Sequence, residues 1–281
     1  MMQVKNIDEN TVSGFGDEWH RFDQTNLSNL ELKNLFDRYF SIFPWDKLSP
    51  ESEGFDLGCG SGRWAKLVAP RVKRLHCVDP SSAIEIAKEN LVEVNNCVFH
   101  TASVDAMPIA DSSMDFGYSI GVLHHVPNTL DGIVSCVRKL KIGAPFLIYL
   151  YYSMDNRPFF YKVIWRLSEV LRFFISKCPH NLRYLLSQTL AALVYWPLAR
   201  SSYLLELMGF SVQAIPLSAY RNLSFYTMRT DALDRFGTRL EQRFSRAQIS
   251  SMLEFSGLEG ILFSEIEPYW CAVGFKSKNI N

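Results

Sequence analysis

Neither sign of charge is in excess in this chain: 29 Lys and Arg stand against 29 Asp and Glu over 281 residues. The protein as a whole therefore lacks the field of a nucleic-acid sleeve. Its six cysteines, at 59, 77, 97, 136, 178 and 271, include no CxxC pair. That spacing suits neither a zinc site nor a disulfide framework, and the expectation is reduced thiols in a cytoplasmic compartment. Long apolar runs are missing too. The longest uncharged stretch, 184–199, is broken by Ser187, Gln188, Thr189 and Pro197, and it falls short of the ~20 apolar residues a membrane span needs. A buried core helix is the expectation there, with an interfacial helix as the other reading. Residues 1–10 are polar and acidic and show no secretory signal. No internal repeat or Gly/Ser-rich linker is present, and neither are GxSxG, HExxH or GxxxxGK[ST]. The corresponding serine hydrolases, zinc proteases and P-loop proteins are excluded.

What the chain does have is apolar content, 48% of its residues, enough for a sizeable core. Residues 1–30 are polar except for Phe15, Trp19 and Phe22, and read as an arm that packs onto a body formed elsewhere. Leu32, Leu35, Phe36, Tyr39 and Phe43 place a helix over 31–46. From Gly54 short apolar runs alternate with helical stretches. Strands are expected at 55–57, 75–78, 97–99, 114–120 and 144–152, with helices at 63–69, from Ser81 or Ser82 to about 92, and 129–141. This rhythm implies a parallel sheet with right-handed crossovers. Residues 153–243 interrupt it with aromatic-rich helical sequence. A helix over 246–256 closed by Gly257 follows, then an antiparallel strand pair at 259–265 and 269–276.

The chemistry-bearing residues cluster early. Asp56-Leu57-Gly58-Cys59-Gly60-Ser61-Gly62 is a glycine turn directly after the first strand, where bare backbone can approach a ligand and a following helix offers its first amides. Arg63 stands where a dinucleotide fingerprint requires its third glycine. Asp79 ends the second strand 21 positions after Gly58, the place from which an acid accepts hydrogen bonds from ribose hydroxyls. A solvated strand-end aspartate is the alternative. Further on come Ser103-Val104-Asp105-Ala106-Met107-Pro108, Met114-Asp115-Phe116 and Gly121-Val122-Leu123-His124-His125-Val126.

These stretches, in this order, resemble the class I S-adenosylmethionine-dependent methyltransferases, and within them the branch of ubiquinone/menaquinone-type and sugar-modifying enzymes. The resemblance covers residues 50–152 well, 246–276 loosely and 153–243 not at all. It implies an α/β, Rossmann-like, mostly parallel seven-stranded sheet with an antiparallel terminal strand and a helical insertion after the fifth strand. The division expected is an arm and helix over 1–53, a cofactor-binding core over 54–152, a helical cap over 153–243, and a helix and strand pair over 244–281 that completes the core. The resemblance further implies S-adenosyl-L-methionine as cofactor, held by Asp56, Gly58, Gly60, Gly62, Asp79, Pro80, Ser103, Val104, Asp105 and Ile120. Ser103 stands where many relatives place an aspartate toward the adenine amine, so Asp105 is the second candidate for that contact.

His124 and His125 are the candidate catalytic bases, because they follow the fourth strand at the edge where such sheets bind ligands. A structural role in packing is the alternative for either. No metal is expected. The acceptor is expected to be a small molecule or glycan precursor. Residues 153–246 carry 13 Lys and Arg against six Asp and Glu, which suits an anionic acceptor or an acidic membrane surface, or reflects solvated helix faces. DNA is not expected as a partner, and RNA is disfavoured for want of a recognisable module. The competing functions are a nicotinamide-dependent oxidoreductase and a non-catalytic cofactor-binding module.

Overall fold

Short apolar runs, the first, second and fourth of them closed by Gly58, Pro80 and Gly121, form a seven-stranded sheet in the computed structural model, which describes residues 5–277. Residues 1–4 and 278–281, the ends of the expected arm and C-terminal segment, lie outside the described residues. The chain divides into two compact units. One comprises the residues up to Gln24, Leu32–Ser153 and those from Leu240 onward; the other comprises Thr25–Glu31 and Met154–Arg239.

In the first unit the strands are β1 (Glu53–Leu57), β2 (Arg74–Val78), β3 (Cys97–His100), β4 (Phe116–Ile120), β5 (Pro145–Tyr149), β6 (Leu258–Phe263) and β7 (Cys271–Lys276), in the order β3-β2-β1-β4-β5-β7-β6. All neighbouring pairs are parallel except β5 with β7 and β6 with β7. This is the Rossmann-like class the resemblance implied. β1 and β4 interlock through size. Gly54 pairs with Phe116 and Phe55 with Gly117, and a Cβ on Gly117 would stand 2.3 Å from the Phe55 ring. Each glycine thus makes room for the phenylalanine beside it in a core that also buries Leu57, Phe146 and Ile148.

The unit's helices are α1 (Glu9–Arg21), α2 (Asn29–Tyr39, whose first residues belong to the other unit), α3 (Ala65–Val68), α4 (Ala83–Asn90), α5 (Thr129–Lys139) and, after the second unit, α10 (Arg246–Phe255). Three differ from expectation. α2 ends at Tyr39, where a helix to 46 is expected. The arm over 1–30 contains a regular helix, α1, capped by Asp8, whose carboxylate accepts the Thr11 N–H at 2.8 Å. The helix expected over 63–69 is one turn long, since Pro70 brings no N–H and the chain tightens to a 3₁₀ turn at Ala69–Arg71. It offers no helix terminus to a ligand.

The second unit is helical: α6 (Phe159–Ile175), α7 (His180–Leu190), a π-helical turn at Ala191–Tyr195, α8 (Trp196–Leu207) and α9 (Phe225–Gly237). α6 and α7 pack on α9, which is the buried element. Its own small core holds Ile175, Ala191, Tyr195, Ala199, Met228, Ala232 and Phe236. Glu31 anchors the start of α9, accepting from the Ser224 N–H at 2.9 Å and the Thr227 hydroxyl at 2.7 Å. The core-helix expectation for 184–199 is corrected here. Ala191, Tyr195 and Ala199 are buried, but Leu185, Leu193, Val194, Trp196 and Leu198 are exposed. Only one side of the segment has a partner within the unit. Among the described residues no helix is long and apolar enough to cross a membrane.

Candidate functional site

The glycine turn after β1 is shaped by what surrounds it. Gly58, Gly60 and Gly62 all have positive φ, and the turn is pinned by the Gly58 N–H donating to the Val78 carbonyl at 2.7 Å. A Cβ on Gly58 would lie 2.3 Å from Val122, in the segment after β4, so this glycine is demanded twice, by conformation and by space. A Cβ on Gly60 would lie 3.0 Å from the Trp19 indole of α1. The indole also has the Arg63 guanidinium 5.5 Å from its centre. α1 therefore lies against the turn and against the start of α4, where Gly16 leaves room for Ser82.

Asp79 is buried at the end of β2. Its Oδ2 accepts the Gly60 N–H at 3.0 Å, and its Oδ1 accepts the Ser81 N–H at 2.8 Å and hydroxyl at 2.6 Å. Burial raises its pKa, against the lowering effect of those three donors. The helix expected to be capped by Ser81 or Ser82 starts at Ala83, with Ser82 at the N-cap position making no side-chain capping bond and the Ser81 hydroxyl accepting the Ala83 N–H at 3.2 Å. Asp56 sits within β1, 1% exposed, and accepts the Tyr118 hydroxyl at 3.0 Å. Its pKa is pushed up to about 8, chiefly by burial. The Ser61 hydroxyl of the turn is buried with no hydrogen-bond partner.

The remaining expected residues fall along the same sheet edge. Ser103 is half-buried and precedes the 3₁₀ turn Val104–Ala106, of which Val104 is buried. Asp105 is exposed, and its Oδ2 accepts the Asn6 N–H at 3.3 Å. Pro80 follows Asp79 and is half-buried, and Ile120 ends β4, buried. Gly121, next to it, has open space on its Cβ side.

His124 and His125 occupy a buried 3₁₀ turn, Leu123–His125. The His124 ring is fully buried, stacked on Tyr151 with ring centres 3.8 Å apart, and neither nitrogen has a partner. Desolvation first, then the neighbouring His125 and Arg243, hold its pKa well below the usual histidine value. His125 Nδ1 lies 2.7 Å from the Leu240 carbonyl; because a carbonyl only accepts, Nδ1 carries the proton. Phe15 of α1 meets the His125 ring edge-on at 4.9 Å. Arg243 packs over Tyr151 and donates to Glu241 at 2.8 Å and to the Tyr152 carbonyl at 3.3 Å. Tyr149, Tyr151 and Arg243 were missed by sequence reasoning. Tyr149 and Tyr151 looked like ordinary strand residues, and Arg243 was counted with the insertion's charge.

A seven-stranded sheet with antiparallel β7, a glycine turn after β1 and a buried acid at the end of β2 defines the class I methyltransferase fold. Residues 55–148 match the family model described as "Methyltransferase domain". The chain is an S-adenosylmethionine-dependent methyltransferase. Solved structures show the same fold at low identity. A chain of the Haloferax volcanii complex between the Trm112 methyltransferase activator and a methyltransferase is 14% identical over 98% of this chain and 100% of its own, with a TM-score of 0.51. An O-methyltransferase family protein from Burkholderia thailandensis is 12% identical over 93% of this chain and 60% of its own, with a TM-score of 0.54. No curated protein matches the sequence.

Proposed function

We propose that the glycine turn with Asp79 holds S-adenosylmethionine and that the residues around His124 receive a small-molecule or glycan-precursor acceptor. The observation that carries this reading is the bond from the Gly60 N–H to Asp79 Oδ2, which joins the turn to the acid. One lone pair of that oxygen is still available for a ribose hydroxyl, and the positive φ of Gly58, Gly60 and Gly62 shapes the turn, their Cα sides being packed by Val122, Trp19 and Leu91. The residues present fit the cofactor on these grounds. Asp56 acts beneath the turn, through β1 and Tyr118. Ser103, half-buried beside Val104, and Asp105, exposed with Oδ2 accepting from Asn6, are the two candidates for the adenine contact.

When bound, S-adenosylmethionine would supply a methyl group activated by its sulfonium, with S-adenosylhomocysteine as the leaving group. The protein's tasks are alignment, exclusion of water and removal of the acceptor's proton. His124 suits the last task. Both of its ring nitrogens are unpartnered, which is the support for this role, whereas burial, by holding its pKa well below the usual value, makes it a weaker base until an acceptor binds. Residues 154–239 carry 11 Lys and Arg against five Asp and Glu, which supports an anionic acceptor. Arg221, Arg229 and Arg235 are nevertheless engaged within their unit, with Glu206, Gln188 and Glu169.

Thermal-shift titration tests the cofactor assignment: S-adenosylmethionine raises the melting temperature and NAD does not. A shift with NAD alone would return the oxidoreductase reading. For the base, His124→Gln is expected to lower turnover of a hydroxyl acceptor by about a hundredfold or more with cofactor affinity unchanged. Unaltered turnover would remove His124 from the chemistry.

A further inference from the structure

Most of the exposed large apolar side chains among the described residues lie in the helical unit. On α6 alone these are Phe159, Phe160, Val163, Ile164, Leu167, Val170, Leu171, Phe173 and Phe174. At 100° per residue all but Phe173 fall within one arc about 140° wide. The opposite side, with Trp165 and Arg172, turns toward the unit's interior, and Ile175, just past the edge of the arc, is buried. Lys162 and Arg166 stand at one border of the apolar arc. Glu169, the acid of the same helix, is already taken up by Arg172 and Arg235.

At the C-terminal end of α6 lies a cleft of about 420 Å³ lined by Arg172, Phe173, Ser176, Lys177 and Arg239. Three of its five lining residues are cationic and none is acidic. Lys177 sits over the Phe173 ring, 3.4 Å from its centre. α7, the π-helical turn and α8 also expose apolar side chains, Leu182, Leu185, Leu193, Trp196, Leu204 and Leu207.

We propose that the apolar face of α6, with the Arg172–Lys177–Arg239 cleft at its end, seats this chain on the surface of an anionic phospholipid bilayer. Chain length and charge exclude a span. α6 is 17 residues, about 25 Å at 1.5 Å per residue, and carries Lys162, Arg166, Glu169 and Arg172. Lying flat in the interface, the helix buries Phe, Leu, Ile and Val among the acyl chains. Lys162 and Arg166 then reach the headgroup phosphates from its border, and the cationic cleft accepts a phosphate beside Phe173. Charge selects this occupant over a second copy of the chain. A two-fold contact would set Lys162, Arg166 and the cationic cleft against their own like, whereas an anionic bilayer complements them. The inference does not rest on the cofactor assignment.

Vesicle flotation of the full chain tests it, with phosphatidylcholine vesicles made with and without phosphatidylglycerol. The chain is expected to float with the anionic vesicles, less with neutral ones, and less in high salt. Leu167→Glu with Phe174→Glu should lower partitioning more than tenfold, roughly the effect of exchanging two buried apolar side chains for charges. Lys162→Gln, Arg166→Gln and Lys177→Gln should each lower it about fivefold, and only for anionic vesicles. Circular dichroism and the S-adenosylmethionine thermal shift, unchanged in these variants, show that they fold. Failure to float with anionic vesicles, or flotation indifferent to both sets of variants, would overturn the proposal. So would a dimer in sedimentation velocity that Leu167→Glu and Phe174→Glu disperse, which would make a second copy the occupant.

Discussion

The sheet unit and the helical unit use apolar residues in opposite ways. In the first, Phe55, Phe116, Tyr118 and Phe146 are sealed from solvent, and glycines opposite two of them leave no room for a methyl group. In the second, a modest core around α9 is enclosed by helices whose other sides display phenylalanine and leucine to solvent. A unit that must hold a cofactor with sub-ångström fidelity is over-determined by packing. A unit whose apolar residues face outward offers a surface to a partner, which is the anionic bilayer proposed for α6.

Substitutions that remove or add volume break this comparison most visibly. Phe146→Ala, at the centre of the sheet, is expected to cost about 3–5 kcal/mol in chemical denaturation. Gly117→Ala, which drives a methyl into the Phe55 ring, should cost about 1–3 kcal/mol. A loss near zero at either position would mean that the sheet is less tightly packed than the geometry requires.

Asp56 sharpens the same contrast through pH. Its pKa is about 8 in the fold against 3.8 ordinarily, so between those values the native state retains a proton that the unfolded chain has released. Stability contributed by this group is whole below pH 4 and is lost as pH rises to about 8. Asp56→Asn keeps an acceptor for the Tyr118 hydroxyl and should remove that slope, leaving the variant more stable than the parent at pH 8. Parallel pH profiles for the two proteins would refute the assignment. The smallest effect belongs to the helical unit: Leu167→Ala, 67% exposed, should change stability by less than about 0.5 kcal/mol. A larger loss would mean that this face has a partner within the chain.

The strands of the sheet unit were legible as short apolar runs, three of them closed by Gly58, Pro80 or Gly121. α10 was equally clear from Gly257, which closes it with a positive φ. α1 was not legible. Its sequence, ENTVSGFGDEWHR, holds two glycines and few apolar residues. The helix forms because Asp8 caps it and because Gly16 and Trp19 fit against Ser82 and Gly60. These are tertiary contacts that outweigh propensity. The turn, Asp79 and the histidine pair could be found by spacing. Tyr149, Tyr151 and Arg243 could not, since β5 and the chain after residue 240 meet only in the fold. The exposure of 184–199 was misjudged for a related reason: an uncharged helix reads the same whether its outer side faces a core or another surface.

The central claim is that Asp79 and the glycine turn hold S-adenosylmethionine. Isothermal titration of the parent and of Asp79→Asn with S-adenosylhomocysteine tests it most directly, with circular dichroism to show that the variant folds. The account predicts binding by the parent that weakens as pH falls, since Asp79 must be ionised and burial has raised its pKa. It also predicts a loss of affinity of about tenfold or more in the variant, where a charged acceptor is replaced by a neutral one. Equal affinity for parent and variant, with the same pH profile, would contradict it.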